Sequence, residues 1–399
     1  IFNNVWEYQI VLALAVLARP WGDLNRKIPI FAWVLVCLGV AAAVATPIAV
    51  TFASSRLTAE SVVGAFDQRE LFDMGMKVLL LVSVLSAFMV RARAPFMFAI
   101  IAVMAFAAEV AADRVDTRKT WRSFFGVLRQ SETYVPSLEG TVKMLAHGTT
   151  LHGAQAQNPE YVCKPLVYYT PNTPIGQVFT AKQAEKAGLR IGAVGLGTGS
   201  VAAYVRERDH LTFFEIDPLV KRIASDPTNF SYTTMCAKSL VDYVIGDARL
   251  TVAKQPAASF DILLIDAFSS DAVPAHLLTV EAVQGYLSKL KPDGVLILHL
   301  SNRNLDLLNP AQAVARKAGG YAAVQSYRPP EADSDPIGTW ESPEDAVIVT
   351  RNPEALKAFL ADKRWEPGNP FRARPWTDDY TNLAGSMYAN LKGRWTWLP

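Results

Sequence analysis

The sequence predicts a membrane α-helical region followed by an α/β doubly wound domain, with a small β-rich subdomain between the two. Three observations support this fold class. Residues 1–112 carry 15 charged side chains, whereas residues 113–399 carry 61. An uncharged run extends over residues 28–55, and short apolar runs alternate with helical patterns from residue 179 onward. The predicted domains are residues 1–112, with about four transmembrane helices; residues 113–178, a linker and the β-rich subdomain; and residues 179–399, the doubly wound domain.

Four apolar stretches in the first domain predict the membrane-spanning helices. The strongest is residues 28–55, since roughly 20 consecutive apolar residues are enough to cross a bilayer. Residues 1–18, 71–90 and 94–112 supply the other three, with basic residues between them that would lie at the membrane surface. A buried helix of a globular domain is the alternative for one of the last two. The lipid bilayer is therefore an expected partner.

Charge and cysteine content exclude several other classes of protein. The net charge is only +2 and the sequence pI is about 8.3, so there is no basic excess for binding nucleic acid. The three cysteines, Cys37, Cys163 and Cys236, have neither the paired spacing of a zinc site nor that of a disulfide framework. We predict no metal, no nucleic acid partner and no disulfide framework.

The remaining elements follow from the period of the apolar residues. Alternating residues within 123–170 predict the strands of the small subdomain. A helical pattern at residues 276–290 stops at a Lys-Pro-Asp-Gly sequence. The predicted strands of the parallel sheet are residues 191–196, 211–216, 243–245, 261–265 and 295–300, followed by 321–327 and 346–350.

The turn after the first strand of that sheet is rich in glycine. Residues 194–200 read VGLGTGS, and Gly195, Gly197 and Gly199 would let the backbone approach a ligand at a helix N-terminus. A dinucleotide-binding turn would have its third glycine at position 200, which is Ser200 here. The observed spacing is more typical of Rossmann-like domains that bind a nucleoside sulfonium.

Carboxylates follow three further strands of the predicted sheet. Glu215 and Asp217 end one strand, Asp247 follows the next, and Asp266 and Asp271 follow a third. The carboxyl ends of parallel strands meet at one edge of a sheet, so these side chains would line a crevice there. Glu215 lies 20 residues after Gly195, where a carboxylate can bind a ribose diol. Capping of the following helices is the alternative role for Asp217 and Asp271.

These motifs resemble the polyamine aminopropyltransferases, the spermidine synthase family. The resemblance rests on residues 195–199 (GLGTG), 214–217 (FEID), 246–248 (GDA) and 261–271 (DILLIDAFSSD), and it covers roughly residues 121–385. It is closest to a bacterial branch in which transmembrane helices precede the catalytic domain. It implies a class I methyltransferase-like fold in an integral protein of the bacterial inner membrane, with the catalytic domain in the cytoplasm.

The resemblance also implies a co-substrate and residues that bind it. The donor would be decarboxylated S-adenosylmethionine, or S-adenosylmethionine itself, bound without a metal. Glu215 would hold the ribose, Asp247 the adenine amino group, and Gln155 would face the nucleoside. The glycines of the turn, Gly195, Gly197 and Gly199, would complete this site.

The expected acceptor is a small cationic amine. Asp266, the catalytic carboxylate that the resemblance implies, would take the proton that the attacking nitrogen loses and would attract the cation, and Asp271 would anchor a distal ammonium. The expected substrate-binding residues are His152, Tyr168, Tyr169, Asp378 and Asp379.

Three departures from the soluble members of the family leave other functions open. Thr198 replaces an acidic residue, His152 replaces the aspartate of an Asp-Gly-x-x-Gln motif, and the stretch from Asp266 to Asp271 is longer than theirs. Thr198 favours the alternative of a methyltransferase that acts on a membrane-associated substrate. A non-catalytic accessory subunit of a membrane complex that retains the fold is the third alternative. A homo-oligomer or a membrane complex is the expected assembly.

Overall fold

The computed structural model describes two sheets and the helices that pack on them. The chain divides into two units, Ile1–Arg122 and Ser123–Pro399, and nearly all described residues belong to the second. The described residues are 117–147, 150–267, 274–302, 304–330, 335–369 and 373–394.

A small antiparallel sheet begins the second unit. After strand β1 (Thr117–Ser123), the strands β2 (Gly126–Val135), β3 (Gly140–His147) and β4 (Thr150–Ala156) pair in sequence. The β3–β4 register shifts between Leu145 and Ala146. These strands lie where the alternating pattern predicts a β-rich segment.

The large sheet has a mixed arrangement of strands. Its members are β5 (Arg190–Val194), β6 (His210–Glu215), β7 (Val241–Ile245), β8 (Phe260–Ile265), β9 (Leu290–His299), β10 (Tyr321–Tyr327), β11 (Glu344–Thr350) and β12 (Glu366–Pro367). They lie side by side in the order β12-β10-β11-β9-β8-β5-β6-β7. Strands β5 to β9 are parallel, whereas β11 is antiparallel to both β9 and β10. The sequence predicts all seven main strands, but not that the last of them enters the sheet in the opposite direction.

Helices cover both faces of the large sheet. Their bounds are α1 (Pro174–Glu185), α2 (Pro218–Ala224), α3 (Ala248–Ala253), α4 (Val280–Lys289), α5 (Leu308–Lys317), α6 (Lys357–Ala361) and α7 (Leu383–Arg394). All six residues of β8 are buried, which is typical of a central parallel strand covered on both faces. Ile262 and Leu264 pack in the apolar cluster on one face, and Leu263 and Ile265 pack in the cluster on the other.

Strand order defines where a ligand can bind. The chain leaves β5 to form β6 on one side and later returns to form β8 on the other, so the strand order reverses between β5 and β8. In open α/β sheets, the crevice at the carboxyl ends of two such strands is the usual ligand site. The glycine turn and Asp266 follow these two strands.

The membrane part of the predicted fold class needs correction. The four predicted spans, at residues 1–18, 28–55, 71–90 and 94–112, lie outside the described residues, and no helix among the described residues is long and apolar enough to cross a membrane. The longest described helices have 12 residues. Such a helix extends about 18 Å, against about 30 Å of hydrocarbon. We therefore withdraw the membrane α-helical region and the inner-membrane localisation from the prediction, and we retain the α/β domain with its small sheet.

The cysteine spacing did not indicate the disulfide that the structure contains. Cys163 and Cys236 form a disulfide across 73 residues of sequence. It joins the segment after β4 to the π-helical turn Tyr232–Cys236. Spacing carries no information about two cysteines so far apart, because the fold alone brings them together.

Reduction of this disulfide is expected to lower the free energy of unfolding by about 2–5 kcal/mol, because the closed loop no longer restricts the unfolded chain. Urea denaturation with and without a reductant measures the effect. The C163S/C236S double variant is the control and should not respond to the reductant. Equal stability of the wild type in both conditions would contradict the assigned bond.

Candidate active site

Gly195 brings the ends of three strands together. Its φ of +92° suits glycine, and a Cβ added there would lie 2.1 Å from the carbonyl oxygen of Asp266. The Gly195 N–H donates to the carbonyl of Phe214, and the Asp266 N–H donates to that of Val194, each at 2.9 Å. Only glycine lets β5, β6 and β8 end this close to one another.

The other two glycines of the turn approach protein atoms as well. Gly197 has a φ of +54°, and its added Cβ would lie 2.5 Å from the carbonyl oxygen of His152 on β4. Gly199 has a φ of +82°, and a Cβ added there would lie 2.6 Å from the Cγ2 of Thr233. The turn leads into a 3₁₀ helix of five residues, Ser200–Tyr204, and not into the predicted α-helix. The small sheet and the residues near the disulfide therefore pack directly on the glycine turn.

Glu215 supports the same turn from the end of β6. Its Oε2 accepts a hydrogen bond from the Leu196 N–H at 2.9 Å, and its Oε1 accepts one from the Asp217 N–H at 2.8 Å. Burial raises the pKa of Glu215, and these backbone hydrogen bonds oppose that rise. Each carboxylate oxygen retains a second lone pair, so the side chain can also accept from a ligand hydroxyl.

Asp247 and Asp217 both act as helix caps. The Asp247 Oδ1 accepts from the N–H groups of Arg249 and Leu250 at the start of α3, and Asp217 accepts from Leu219 at the start of α2. The other carboxylate oxygen of Asp247 lies 3.6 Å from the imidazole of His276. Both carboxylates therefore cap helices, and the cap of Asp247 uses only one of its two oxygens.

Apolar side chains are exposed beside Glu215 and Asp247. Ile216, Ile245 and Leu250, the neighbours of Glu215 and Asp247 in sequence, are 45%, 41% and 64% exposed. Exposed apolar residues next to polar groups at the carboxyl edge of a sheet are typical of a binding crevice.

The Gln155 side chain forms hydrogen bonds within the protein. Its amide nitrogen donates to the Val162 carbonyl at 2.9 Å and to the Ser231 hydroxyl at 3.0 Å, and its oxygen accepts from the Ser231 N–H at 2.8 Å. The side chain is buried. Gln155 therefore joins β4 to the turn after α2, and its amide does not point at an open crevice.

Asp266 lies at the centre of a buried polar cluster. Its Oδ2 accepts a hydrogen bond from the Tyr169 hydroxyl, and its Oδ1 lies 2.6 Å from the Nδ1 of His299. The ring of Tyr168 packs against those of Tyr169 and His299, with centroid distances of 4.5 and 4.6 Å. The structure thus brings the predicted residues Asp266, Tyr168 and Tyr169 together and adds His299, at the end of β9.

His299 was missed because a single histidine at the end of an apolar strand carries no motif. Its position was the available signal: it ends the strand next to the one that precedes Asp266, at the same edge of the sheet. Burial lowers the pKa of His299, but the charge of the Asp266 carboxylate and its hydrogen bond raise it by more, so the net shift is upward.

His152 is a neutral side chain close to this cluster. Burial lowers its pKa to about 4, and its Nε2 has no hydrogen-bond partner. Its ring lies 5.8 Å from that of His147. An aspartate at this position would be charged, so the site is less acidic with His152 in its place.

The C-terminal carboxylates lie on the Asp247 side of the sheet edge. Asp378 accepts from the guanidinium of Arg249 and, at 2.8 Å, from the hydroxyl of Thr279. Asp379 is exposed. Asp271 lies outside the described residues. Within the part of the chain that the structure describes, no group of three or more His, Cys, Asp or Glu residues could hold a metal.

Two proteins of known activity match part of this chain in sequence. No family profile matches the chain. It is 31% identical over 134 residues to a polyamine aminopropyltransferase of Vibrio vulnificus, a match that covers 32% of this chain and 42% of that protein. It is 27% identical over 190 residues to an N-terminal histidine N-methyltransferase of Emericella nidulans, covering 43% of this chain and 32% of that protein. The chain thus matches less than half the length of either relative.

Solved structures with a similar arrangement include two spermidine synthases. A probable spermidine synthase from Corynebacterium glutamicum has 15% identity and a TM-score of 0.47, with 66% of this chain and 98% of that chain aligned. A spermidine synthase from Thermotoga maritima has 15% identity and a TM-score of 0.37, with 71% of this chain and 88% of that chain aligned. The partial sequence match supports the resemblance to polyamine aminopropyltransferases, and nothing in these comparisons shows the membrane-fused branch.

Gly195→Ala is expected to lower the free energy of unfolding by at least about 2 kcal/mol, because alanine is strained at a positive φ and its Cβ would overlap the Asp266 carbonyl. Gly285→Ala in α4 is the matched control. No atom lies within 4 Å of its added Cβ, so this change should be neutral or stabilising. Equal stability of the two variants in urea would contradict the strand-end geometry.

Proposed function

We propose that this chain is a spermidine synthase-like aminopropyltransferase that moves an aminopropyl group from decarboxylated S-adenosylmethionine to a small amine. The observation that carries the proposal is Asp266, a carboxylate at the reversal point of the sheet whose two oxygens are held by Tyr169 and His299. A fixed, partly desolvated carboxylate is suited to attract an ammonium group and to accept its proton.

The chemistry of this transfer needs little from the protein beyond position and a base. The acceptor nitrogen attacks the methylene carbon beside the sulfonium, forming a C–N bond while the C–S bond breaks and its electrons pass to sulfur. The products are a neutral thioether nucleoside and an aminopropylated amine. The nitrogen gives up one proton, and Asp266 is the group that would receive it.

The donor nucleoside would occupy the crevice beside the glycine turn. Glu215 retains lone pairs for the ribose hydroxyls, and Asp247 has a carboxylate oxygen that its cap does not use. The exposed side chains of Ile216, Ile245 and Leu250 offer an apolar surface for the adenine ring. Gln155 has no free amide group for this role.

The acceptor would lie beside Asp266 and Tyr168. Tyr168 is partly exposed, and the part of its ring that Tyr169 and His299 leave uncovered would contact the cationic amine. His152 is neutral and would not repel that cation.

A methyltransferase that uses intact S-adenosylmethionine is the second candidate. Thr198 supports it, because this buried side chain hydrogen bonds Ser200 at 2.8 Å where the aminopropyltransferase pattern has an acid. The partial match to a histidine N-methyltransferase agrees with this candidate. Calorimetric titration separates the two: the first proposal expects tighter binding of the decarboxylated donor, and a preference for the intact donor favours the second.

Glu215→Gln should weaken binding of the preferred nucleoside by about 1.5–3 kcal/mol, or roughly 10- to 100-fold, through loss of a charge-assisted hydrogen bond. Isothermal calorimetry measures the affinity. Asp242→Asn is the control, since Asp242 is an exposed carboxylate at the opposite edge of the same sheet. Wild-type affinity in the Glu215 variant would refute the assigned donor site.

Asp266→Asn should reduce turnover by roughly 100-fold or more, because an amide cannot accept the amine proton. The affinity for the nucleoside should stay close to the wild type and the variant should still unfold cooperatively, which separates loss of the base from loss of the fold. Asp242→Asn again serves as the control. Wild-type turnover in the Asp266 variant would limit this residue to a structural role.

A further inference from the structure

His299 is held at both ring nitrogens. Its Nδ1 lies 2.6 Å from Asp266 Oδ1, and its Nε2 lies 2.8 Å from the Ser301 hydroxyl. The side chains of His299 and Asp266 are only 4% and 7% exposed. The ring also packs against Tyr168. The imidazole is therefore oriented by contacts on three sides, and its Nδ1–H has one acceptor, the candidate base.

The Ser301 hydroxyl allows His299 to exist in either charge state. This oxygen accepts a hydrogen bond from the Asp345 N–H at 3.0 Å, which leaves it one lone pair and one O–H. It can donate to the Nε2 of a neutral imidazole or accept from the Nε2–H of a charged one. No buried nitrogen loses its partner when the proton leaves, so the site stays satisfied in both states.

A second buried carboxylate faces the same ring. His299 pairs with Ala346 across β9 and β11, so Glu344, two residues before Ala346, lies diagonally on the same face of the sheet. Its Oε2 accepts from the Ile175 N–H at the start of α1 at 3.4 Å, and its Oε1 has no hydrogen-bond partner. Burial raises the pKa of Glu344 to about 8, so near pH 7 this side chain is held largely in its neutral form.

The charges around His299 come from three elements. Asp266 follows β8, Glu344 and Asp345 begin β11, and the hydroxyl groups of Tyr168 and Tyr169 come from the segment before α1. Asp266, Asp345 and, when it is ionised, Glu344 favour a protonated imidazole, whereas burial opposes it.

We propose that His299 is a positioning residue that aims the Asp266 carboxylate at the acceptor amine and controls its strength as a base through its own charge. The inference rests on the proposed function, in which Asp266 receives the proton of the attacking nitrogen. A charged imidazole stabilises the carboxylate and makes it a weak base. A neutral imidazole keeps the Nδ1–H hydrogen bond without the charge, so the carboxylate becomes more basic and accepts the proton on its Oδ2.

Histidine titration by NMR tests this pairing without requiring turnover. The chain has five histidines, so ¹³C labelling of their rings gives five signals, and H299Q identifies the one from His299. We expect the His299 signal to titrate above 6.5, to move down by about one pH unit or more in D266N, and to move down less in E344Q. In the control variant D242N, which removes the carboxylate 2.7 Å from His210, the His299 signal should titrate as in the wild type. A His299 signal that D266N leaves unchanged would overturn the proposal.

The pH dependence of kcat/KM tests the catalytic consequence. Gln at position 299 can donate to Asp266 but cannot change its charge. Below the pKa of His299, wild-type kcat/KM should fall about 10-fold per pH unit relative to that of H299Q. H210Q should follow the wild type, because its histidine–aspartate pair lies away from Asp266. Parallel profiles for H299Q and the wild type would overturn the proposal. Absence of turnover in the wild type would instead defeat the proposed function, and the NMR titration would still decide whether His299 and Asp266 are coupled.

Discussion

Strands β5 and β8 meet at Asp266, and this contact brings the glycine turn next to the polar cluster around the Asp266 carboxylate. The Asp266 carbonyl oxygen lies against the Cα of Gly195, so the glycine turn and the candidate base share one backbone junction. From this junction the turn passes under His152 on β4, and Glu215 holds its next N–H. The same aspartate presents its side chain to Tyr169 and His299. Asp266 therefore contributes its backbone to the strand junction and its side chain to the polar cluster.

Burial of a carboxylate costs free energy unless the group is paired or neutral, and three buried carboxylates of this protein meet that cost in different ways. Backbone N–H groups hold Glu215, and a hydroxyl and an imidazole hold Asp266. Glu344 has one long backbone contact and an oxygen without a partner, and its raised pKa shows that it is held largely in the neutral form. Of these three carboxylates, Asp266 is the one that pairs with a histidine, whose charge can change near neutral pH. This difference distinguishes the candidate base from the structural carboxylates.

The sequence predicted the strands and the edge of the sheet well, because apolar runs and chain reversals are local properties. Gly195, Glu215 and Asp266 could be placed together for the same reason: each directly follows a strand whose direction was known. Gln155 could not be judged, since its partner Ser231 is 76 residues away. His299 and the Cys163–Cys236 bond were missed for the same physical reason, as their contacts exist only after distant segments pack. The membrane spans were predicted from hydropathy alone, and they are the part of the prediction that has been withdrawn.

The most direct test of the account is to identify the nucleoside that the protein releases. The chain is incubated with a diamine and either decarboxylated or intact S-adenosylmethionine, and the products are separated by chromatography. The account predicts methylthioadenosine and an aminopropylated amine in equal amounts, formed only from the decarboxylated donor. Release of S-adenosylhomocysteine from the intact donor, with no methylthioadenosine from the other, would contradict it.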